Sequence, residues 1–388
     1  MTKLSMKQTA FALVVIGTLL FAFFASVSLS FSPQRNSQKT RSSDFFFGIT
    51  TGGTVAETKT TIDKVKDYTN VIVFTNLEVT KNLTSLEEVA DYAFANELSF
   101  FVQTAFPSPY GGFNFDPIQW VSEARSKYGE KFLGYYLFDE PGGNQIDLGD
   151  YVQFDKSSMP HDYKDAANTY VYYLYVQTRS FIKTVQLVTS DYALYWYDYE
   201  VGYDTVFCQF GWNNSRAINI ALCRGAAEMH NATWGAILTW TYDSPPYIES
   251  APELYQDMIM AYSAGAKYVL VFNYPQTGPY GVLKEDHFEA MKAFWEHIAK
   301  TPQNETSNTE KVAYVVPDNY GFGFRGPLDK IWGVWEADEK AQLIWNEVSC
   351  LVQTYGADFD IIYGSPWTQV FGRSHYDRLV RWNSTDSG

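Results

Sequence analysis

The segment Phe132-Leu-Gly-Tyr-Tyr-Leu-Phe-Asp-Glu-Pro-Gly-Gly143 reads as a short buried strand that stops abruptly. Phe132 to Phe138 is an apolar run of strand length rather than helix length. Asp139 and Glu140 stand where the strand must end, and Pro141 removes a backbone donor from the next ladder position. Gly142 and Gly143 then let the chain turn away. A carboxylate pair at the tip of a buried parallel strand is a natural place for acid–base chemistry.

The same rhythm recurs on both sides of this segment. Apolar runs at Phe45–Gly53, Asn70–Asn76 and Leu98–Thr104 precede it, and Val185–Asp191, Asp204–Phe210, Trp234–Trp240 and Lys267–Asn273 follow. Amphipathic stretches separate them: Val55–Tyr68, Thr84–Asn96 with a Thr84/Glu87 capping box, and a helix with Asp116 as N-cap and Pro117 at its first position. Beyond Gly143 come Tyr163–Lys183, Ser215–His230, Ala251–Ala264 and Asp286–Lys300. Between the fifth and sixth strands lies an aromatic loop, Tyr192, Tyr195, Trp196, Tyr197 and Tyr199, too tightly spaced for one face, so some of its rings are expected in solvent. Eight strand–helix units over residues 44–300 predict a (β/α)8 TIM barrel. A doubly wound open sheet is the competing architecture; the count of eight and the polar or aromatic strand tips favour the barrel.

The flanks are different. Residues 1–34 carry Lys3 and Lys7 before a long uncharged apolar run, the pattern of a signal peptide or a membrane anchor. Residues 35–43 read as a polar stalk. The remainder is then expected outside the cytoplasm, either secreted or anchored to the membrane. Sequons at Asn82, Asn213, Asn231, Asn304 and Asn383 fit a glycoprotein. Residues 301–310 form a polar linker, and 311–388 predict a small α/β domain: strand Lys311–Val316, helix Asp338–Tyr355, strand Asp358–Tyr363 and a short strand near Leu379–Trp382. Its Gly321-Phe-Gly-Phe-Arg-Gly326 matches G-x-G-x-x-G, but Pro327 follows at once and no acid stands ready for a ribose, so it reads as an ordinary glycine-rich loop and no cofactor is expected.

Composition narrows the function. A formal charge of −15 argues against nucleic-acid binding. The three cysteines have no C-x-x-C spacing and the five histidines no H-x-x-x-H pair, so no metal site is expected. Cys208 and Cys223 could form a disulfide or remain buried thiols. The 29 Tyr, 28 Phe and 11 Trp fit either an aromatic core or a groove for a ligand with both polar and apolar faces.

In a barrel the strand ends converge on one face. They would bring there Asp139 and Glu140, Asp191, Gln209 with Trp212 and Asn213, Trp240 with Tyr242, Asp243 and Glu249, and Asn273 with Tyr274, alongside Trp196 of the aromatic loop. Carboxylates, amides and aromatic faces suit a carbohydrate. On Asp139-Glu140-Pro141 the chain resembles extracytoplasmic TIM-barrel glycoside hydrolases that carry their acid/base in Asn-Glu-Pro at the end of strand four. The C-terminal unit faintly resembles the start of the amidotransferase-like domain of some β-galactosidases, though it is much shorter. The resemblance implies Glu140 as general acid and a second carboxylate as nucleophile or base.

Two departures stand out. Asp139 replaces the Asn and cannot donate to a sugar hydroxyl unless protonated, but its charge would raise the pKa of Glu140. At strand seven, where the nucleophilic Glu is expected, Asp243 has the position and Glu249 the residue type, with Asp191 a third candidate. A barrel that has lost this partner would be a non-catalytic carbohydrate-binding or cell-envelope protein; a surface structural protein is a further reading.

Overall fold

The computed structural model describes residues 45–105, 112–149, 159–303 and 310–382. The signal or anchor segment, the stalk, Asn304 and Asn383 lie outside these residues. Among the described residues no helix is long and apolar enough to cross a membrane.

Eight parallel strands close on themselves in sequence order: β1 (Phe46–Thr51), β2 (Val71–Phe74), β3 (Ser99–Thr104), β4 (Phe132–Asp139), β5 (Leu187–Asp191), β6 (Thr205–Phe210), β7 (Thr233–Leu238) and β8 (Tyr268–Val271). β8 pairs with β1 from Phe46↔Tyr268 to Ile49↔Val271, so no edge remains. The fold is the (β/α)8 barrel expected from the alternation. Each strand buries both faces, which explains why the runs are nearly continuously apolar. Val71, Val73, Phe101, Tyr136, Val188, Phe207, Ile237, Tyr268 and Leu270 fill the interior. The alternate residues, among them Phe47, Ile72, Phe74, Leu187, Cys208 and Leu238, pack outward against the helices.

Local signals place the helices with small shifts. The helix Leu83–Ala95 is capped by Asn82, whose side chain accepts from Ser85 N at 3.1 Å, rather than by a Thr84/Glu87 box. Asp116 caps Pro117–Tyr128 as expected. The helix from Tyr163 ends at Thr178, five residues early. Pro141 begins a helix, Pro141–Leu148, instead of merely ending the strand. Gly142 and Gly143 serve close approach: a Cβ on Gly143 would lie 2.1 Å from the Tyr192 ring, and one on Gly142 2.4 Å from the Ala193 carbonyl.

The aromatic loop is a short helix, Tyr195–Val201, and its rings are all buried. The expected exposure of some of them fails because this helix is covered on both sides. Tyr197 packs against Trp332 and Tyr363, and Trp196 against His230 and Tyr363. Residues 332 and 363 belong to the C-terminal unit, where β9 (Val312–Val316) is central to the parallel sheet β10-β9-β11, with β10 at Phe359–Tyr363 and β11 at Arg378–Arg381. That sheet rests on the helix Arg216–Met229 that follows β6. A Cβ on Gly225 would lie 2.6 Å from the Ile361 carbonyl. Beside it, Arg224 Nε reaches Asp360 at 2.7 Å and its Nη2 donates to the carbonyls of Ala357 and Phe359. Cys208 and Cys223 are free buried thiols, and Cys350 is exposed.

Removing the cation from this largely buried pair should strand Asp360 and three carbonyls, those of Ala264, Ala357 and Phe359. Arg224→Ala is expected to cost about 3 kcal/mol, read as a lower denaturation midpoint in urea, with Arg224→Lys recovering only part of it.

Candidate active site

The C-terminal ends of the strands frame a cleft of about 560 Å³. Its walls include Tyr136, Asp139, Glu140, Ser190, Gln209, Thr239, Trp240, Phe272 and Tyr274 from the barrel, and Arg325 from the C-terminal unit.

The end of β4 is unusual. Phe138 and Glu140 both adopt left-handed backbone, φ +59 and +58. Non-glycine residues rarely do so, and such strain gathers at functional sites. The β4–β5 register is interrupted between Tyr136 and Asp139. This kink breaks the alternation of the strand and leaves Asp139 and Glu140 together on the cleft wall. Glu140 N–H donates to the Ser190 carbonyl at 2.9 Å, pinning the kink to β5.

The two acids share one polar network. Gln209 Nε2 donates to Glu140 Oε1 at 2.8 Å and to Ser190 Oγ at 2.9 Å. Ser190 Oγ donates to Asp139 Oδ1 at 2.9 Å, and the Tyr136 hydroxyl also donates to Asp139 Oδ1. Asp139 is walled by protein yet open to solvent through the cleft. Burial raises its pKa, while the bonds from Tyr136 and Ser190 oppose the rise. Burial and the Asp139 charge push Glu140 up to about 7, against the pull of the Gln209 hydrogen bond. Glu140 is therefore a carboxyl that can hold a proton near neutral pH.

The other proposed carboxylates lie elsewhere. Asp191 is fully buried and accepts the N–H groups of Gly142 (2.5 Å), Gly143 (2.8 Å), Tyr192 (2.7 Å) and Ala193 (3.1 Å). It sits at the N-terminus of the helix Pro141–Leu148, behind the acid pair and off the cleft wall. Glu249 is buried beside Arg216, 3.3 Å away, and also does not line the cleft. Arg216 in turn donates to the carbonyls of Gly211, Trp212 and Asn214, so Glu249 helps hold the loop after β6. Burial and the nearby Asp257 raise the pKa of Glu249, partly offset by Arg216. Asp243 is exposed on the loop beyond β7 and stands outside the cleft wall. At the inward position after β7 the wall is Thr239.

Among the expected ligand contacts, Trp212, Trp240 and Tyr274 line the cleft. The rings of Trp240 and Tyr274 lie parallel, 8° apart in plane with centroids 6.2 Å apart, and Trp240 Nε1 donates to the Tyr274 carbonyl at 2.6 Å. Tyr274 is 47% exposed and Trp212 38%, so apolar faces are on offer to a ligand. Asn213 and Tyr242 are exposed outside the wall; Asn214, not Asn213, reaches it. Asn273 is buried and accepts from Val282 N at 3.0 Å, closing its own loop. Trp196 is core, as described above.

Sequence reading missed Tyr136, Ser190, Thr239, Asp147 and Arg325, whereas Tyr192 of the aromatic loop does reach the wall. For Ser190 and Thr239 a signal existed: they continue the inward phase of Val188 and Ile237 by steps of two. The same phase places Asp191 and Asn273 outward. For Arg325 there was none. It lies in the glycine-rich loop of residues 321–326, pairs with Asp329 Oδ1 at 2.8 Å and also contacts Asp147, whose other oxygen accepts from the Tyr192 hydroxyl at 2.5 Å. No group of three or more His, Cys, Asp or Glu among the described residues could hold a metal.

Comparison with known proteins gives the fold a context. No protein-family model matches the chain, and no curated protein does. Among solved structures, a GH5_18 protein from Streptomyces cattleya in complex with GlcNAc is 11% identical, with a TM-score of 0.51 over 87% of this chain and 98% of its own. Alpha-L-fucosidase isoenzyme 2 from Paenibacillus thiaminolyticus is 10% identical, with a TM-score of 0.51 over 87% of this chain. The alignment spans 59% of the fucosidase chain. Identities this low establish a shared fold: a closed parallel barrel with helices around it.

Proposed function

We propose that the protein is a glycoside hydrolase whose general acid is Glu140, acting on a poly- or oligosaccharide at the C-terminal face of the barrel. One observation carries this reading: a strained β4 tip presents a carboxyl with its pKa lifted to about 7 into a cleft edged by stacked aromatic rings. A proton donor for a glycosidic oxygen needs that environment, and sugar rings stack on Trp and Tyr. The α-L-fucosidase among the fold neighbours is by name a glycosidase, which supports the class. The apolar N-terminal run supports an extracytoplasmic setting, secreted or membrane-anchored, with residues 44–300 as the catalytic domain and 311–388 as an accessory domain.

The pH dependence tests the role of Glu140. Rate should fall as pH rises through about 7, because the donor form is lost. Stability should follow the same direction. The folded-state value exceeds the ordinary 4.5, so the contribution is complete below 4.5 and is lost as pH rises through about 7. Glu140→Gln removes that loss. At pH 8 the variant should exceed the parent in stability by roughly 2 kcal/mol, allowing for solvent in the cleft, and by nothing at pH 4. Denaturant titrations at the two pH values measure it; equal stabilities at pH 8 would mean that Glu140 ionises normally.

A second reading, a non-catalytic carbohydrate-binding protein, is favoured by one feature: Thr239 stands at the β7 tip and Asp243 is outside the cleft. A panel of glycosides and polysaccharides separates the two. Binding without cleavage supports the second reading.

A further inference from the structure

The carboxylates that line the cleft among the described residues are Asp139, Glu140 and Asp147, all from β4 or the helix that follows it. Asp147 is engaged by Arg325 and Tyr192. The tips of β5 to β8 contribute Ser190, Gln209, Thr239, Trp240 and Phe272 to the wall, and no acid. A nucleophile must reach the anomeric carbon from the face opposite the leaving group. Asp139 is adjacent to Glu140 on one strand end and shares the Gln209–Ser190 network with it, which suits it to hold a substrate group beside the bond that Glu140 protonates. Asp139 does have a free hand: its Oδ1 takes both Ser190 and Tyr136, while Oδ2 takes no hydrogen bond among the described residues and the side chain opens into the cleft.

We infer that the substrate supplies its own nucleophile: the sugar seated against Glu140 carries a 2-acetamido group, and Asp139 Oδ2 accepts its amide N–H. The inference rests on the glycosidase reading. The acetamido oxygen attacks the anomeric carbon as the bond from that carbon to the leaving oxygen breaks. Glu140 gives its proton to the leaving oxygen, and the Asp139 charge stabilises the cationic five-membered ring that forms. Water then adds to the anomeric carbon, giving its proton to the Glu140 carboxylate. The ring bond opens and the acetamide is restored. Two displacements leave the anomeric configuration retained. A 2-hydroxy sugar has no such internal nucleophile.

The test uses the full chain and paired aryl glycosides of 2-acetamido-2-deoxy and 2-hydroxy sugars, in the gluco and galacto series and both anomers. The expected result is cleavage of an acetamido glycoside at least ~10³-fold faster than its 2-hydroxy partner, since intramolecular attack is lost in the latter. Replacing the acetyl methyl hydrogens by fluorine weakens the carbonyl nucleophile and should slow the reaction further with each fluorine. Asp139→Asn should lower kcat by about 10²–10³-fold, and the fluorine series on the unaltered protein stands whether or not that variant folds. Equal cleavage of both members of a pair, or indifference to fluorine, overturns the inference and leaves the glycosidase reading in place. No cleavage of any pair, with a sugar still bound, overturns both.

Discussion

Glu140→Gln is expected to lower turnover of any glycoside the protein cleaves by about 10²–10⁴-fold, the usual contribution of a positioned acid. The substitution preserves shape and leaves the backbone strain at φ +58 unchanged. Gln209 donates to Glu140 Oε1, and the new amide can still present its oxygen there, so the network with Ser190 and Asp139 should survive. What disappears is the proton. Steady-state kinetics on the best substrate, with far-UV circular dichroism as the control for folding, reads the effect. A folded variant with unchanged kcat would remove Glu140 from the mechanism. Aryl glycosides with a good leaving group should lose less than alkyl ones, because they need less protonation to depart. A purely structural role for Glu140 would slow both equally.

Asp191→Ala should produce the largest loss of stability. Four buried N–H groups, two from the start of the helix Pro141–Leu148 and two from the turn after β5, give their hydrogen bonds to this one side chain. At about 1 kcal/mol or more for each donor left without a partner, the cost is roughly 4 kcal/mol. Burial raises the pKa of Asp191, and the backbone bonds act against it. Asp191→Asn keeps one acceptor oxygen and should fall between the parent and the alanine variant. Equilibrium unfolding in urea measures the series. Because Asp191 clamps the segment that follows Glu140, activity should drop along with stability. A loss of less than about 1 kcal/mol for the alanine variant would mean that the turn rearranges to satisfy those groups without it.

The fate of the candidate carboxylates shows how far strand position alone can be trusted. Asp191 and Asn273 are at strand tips, as Glu140 is, yet both serve the local backbone. Alternation within each strand explains this: Val188 and Ser190 share the inward phase, so Asp191 faces the helices. Applied strictly, the same rule would have turned Asp139 away from the cleft. The left-handed residue at Phe138 resets the phase of β4. A kink of this kind depends on the Ser190 carbonyl and the β5 register, which are distant in the chain.

The aromatic segment is a second instance. Tyr195, Trp196, Tyr197 and Tyr199 lack a single-face periodicity, which is a sound reason to expect exposed rings in an isolated barrel. They are buried because the C-terminal unit supplies Trp332 and Tyr363 as a second set of neighbours. The same unit sends Arg325 to the cleft from a glycine-rich loop whose local pattern points to nothing of the sort.

The sequence by itself determined the eightfold alternation, and with it the barrel, because each strand and helix must bury its apolar residues at its own period. It also placed Asp139 and Glu140 at the end of β4, since Pro141 stops the ladder there. Only the tertiary structure decided which strand-tip groups face the cleft. That depends on the phase of each strand where it ends, on the kink at Phe138, and on contacts made across nearly two hundred residues by Arg325. Phe132–Gly143 thus marks the site, while its neighbours in space decide what chemistry the site can perform.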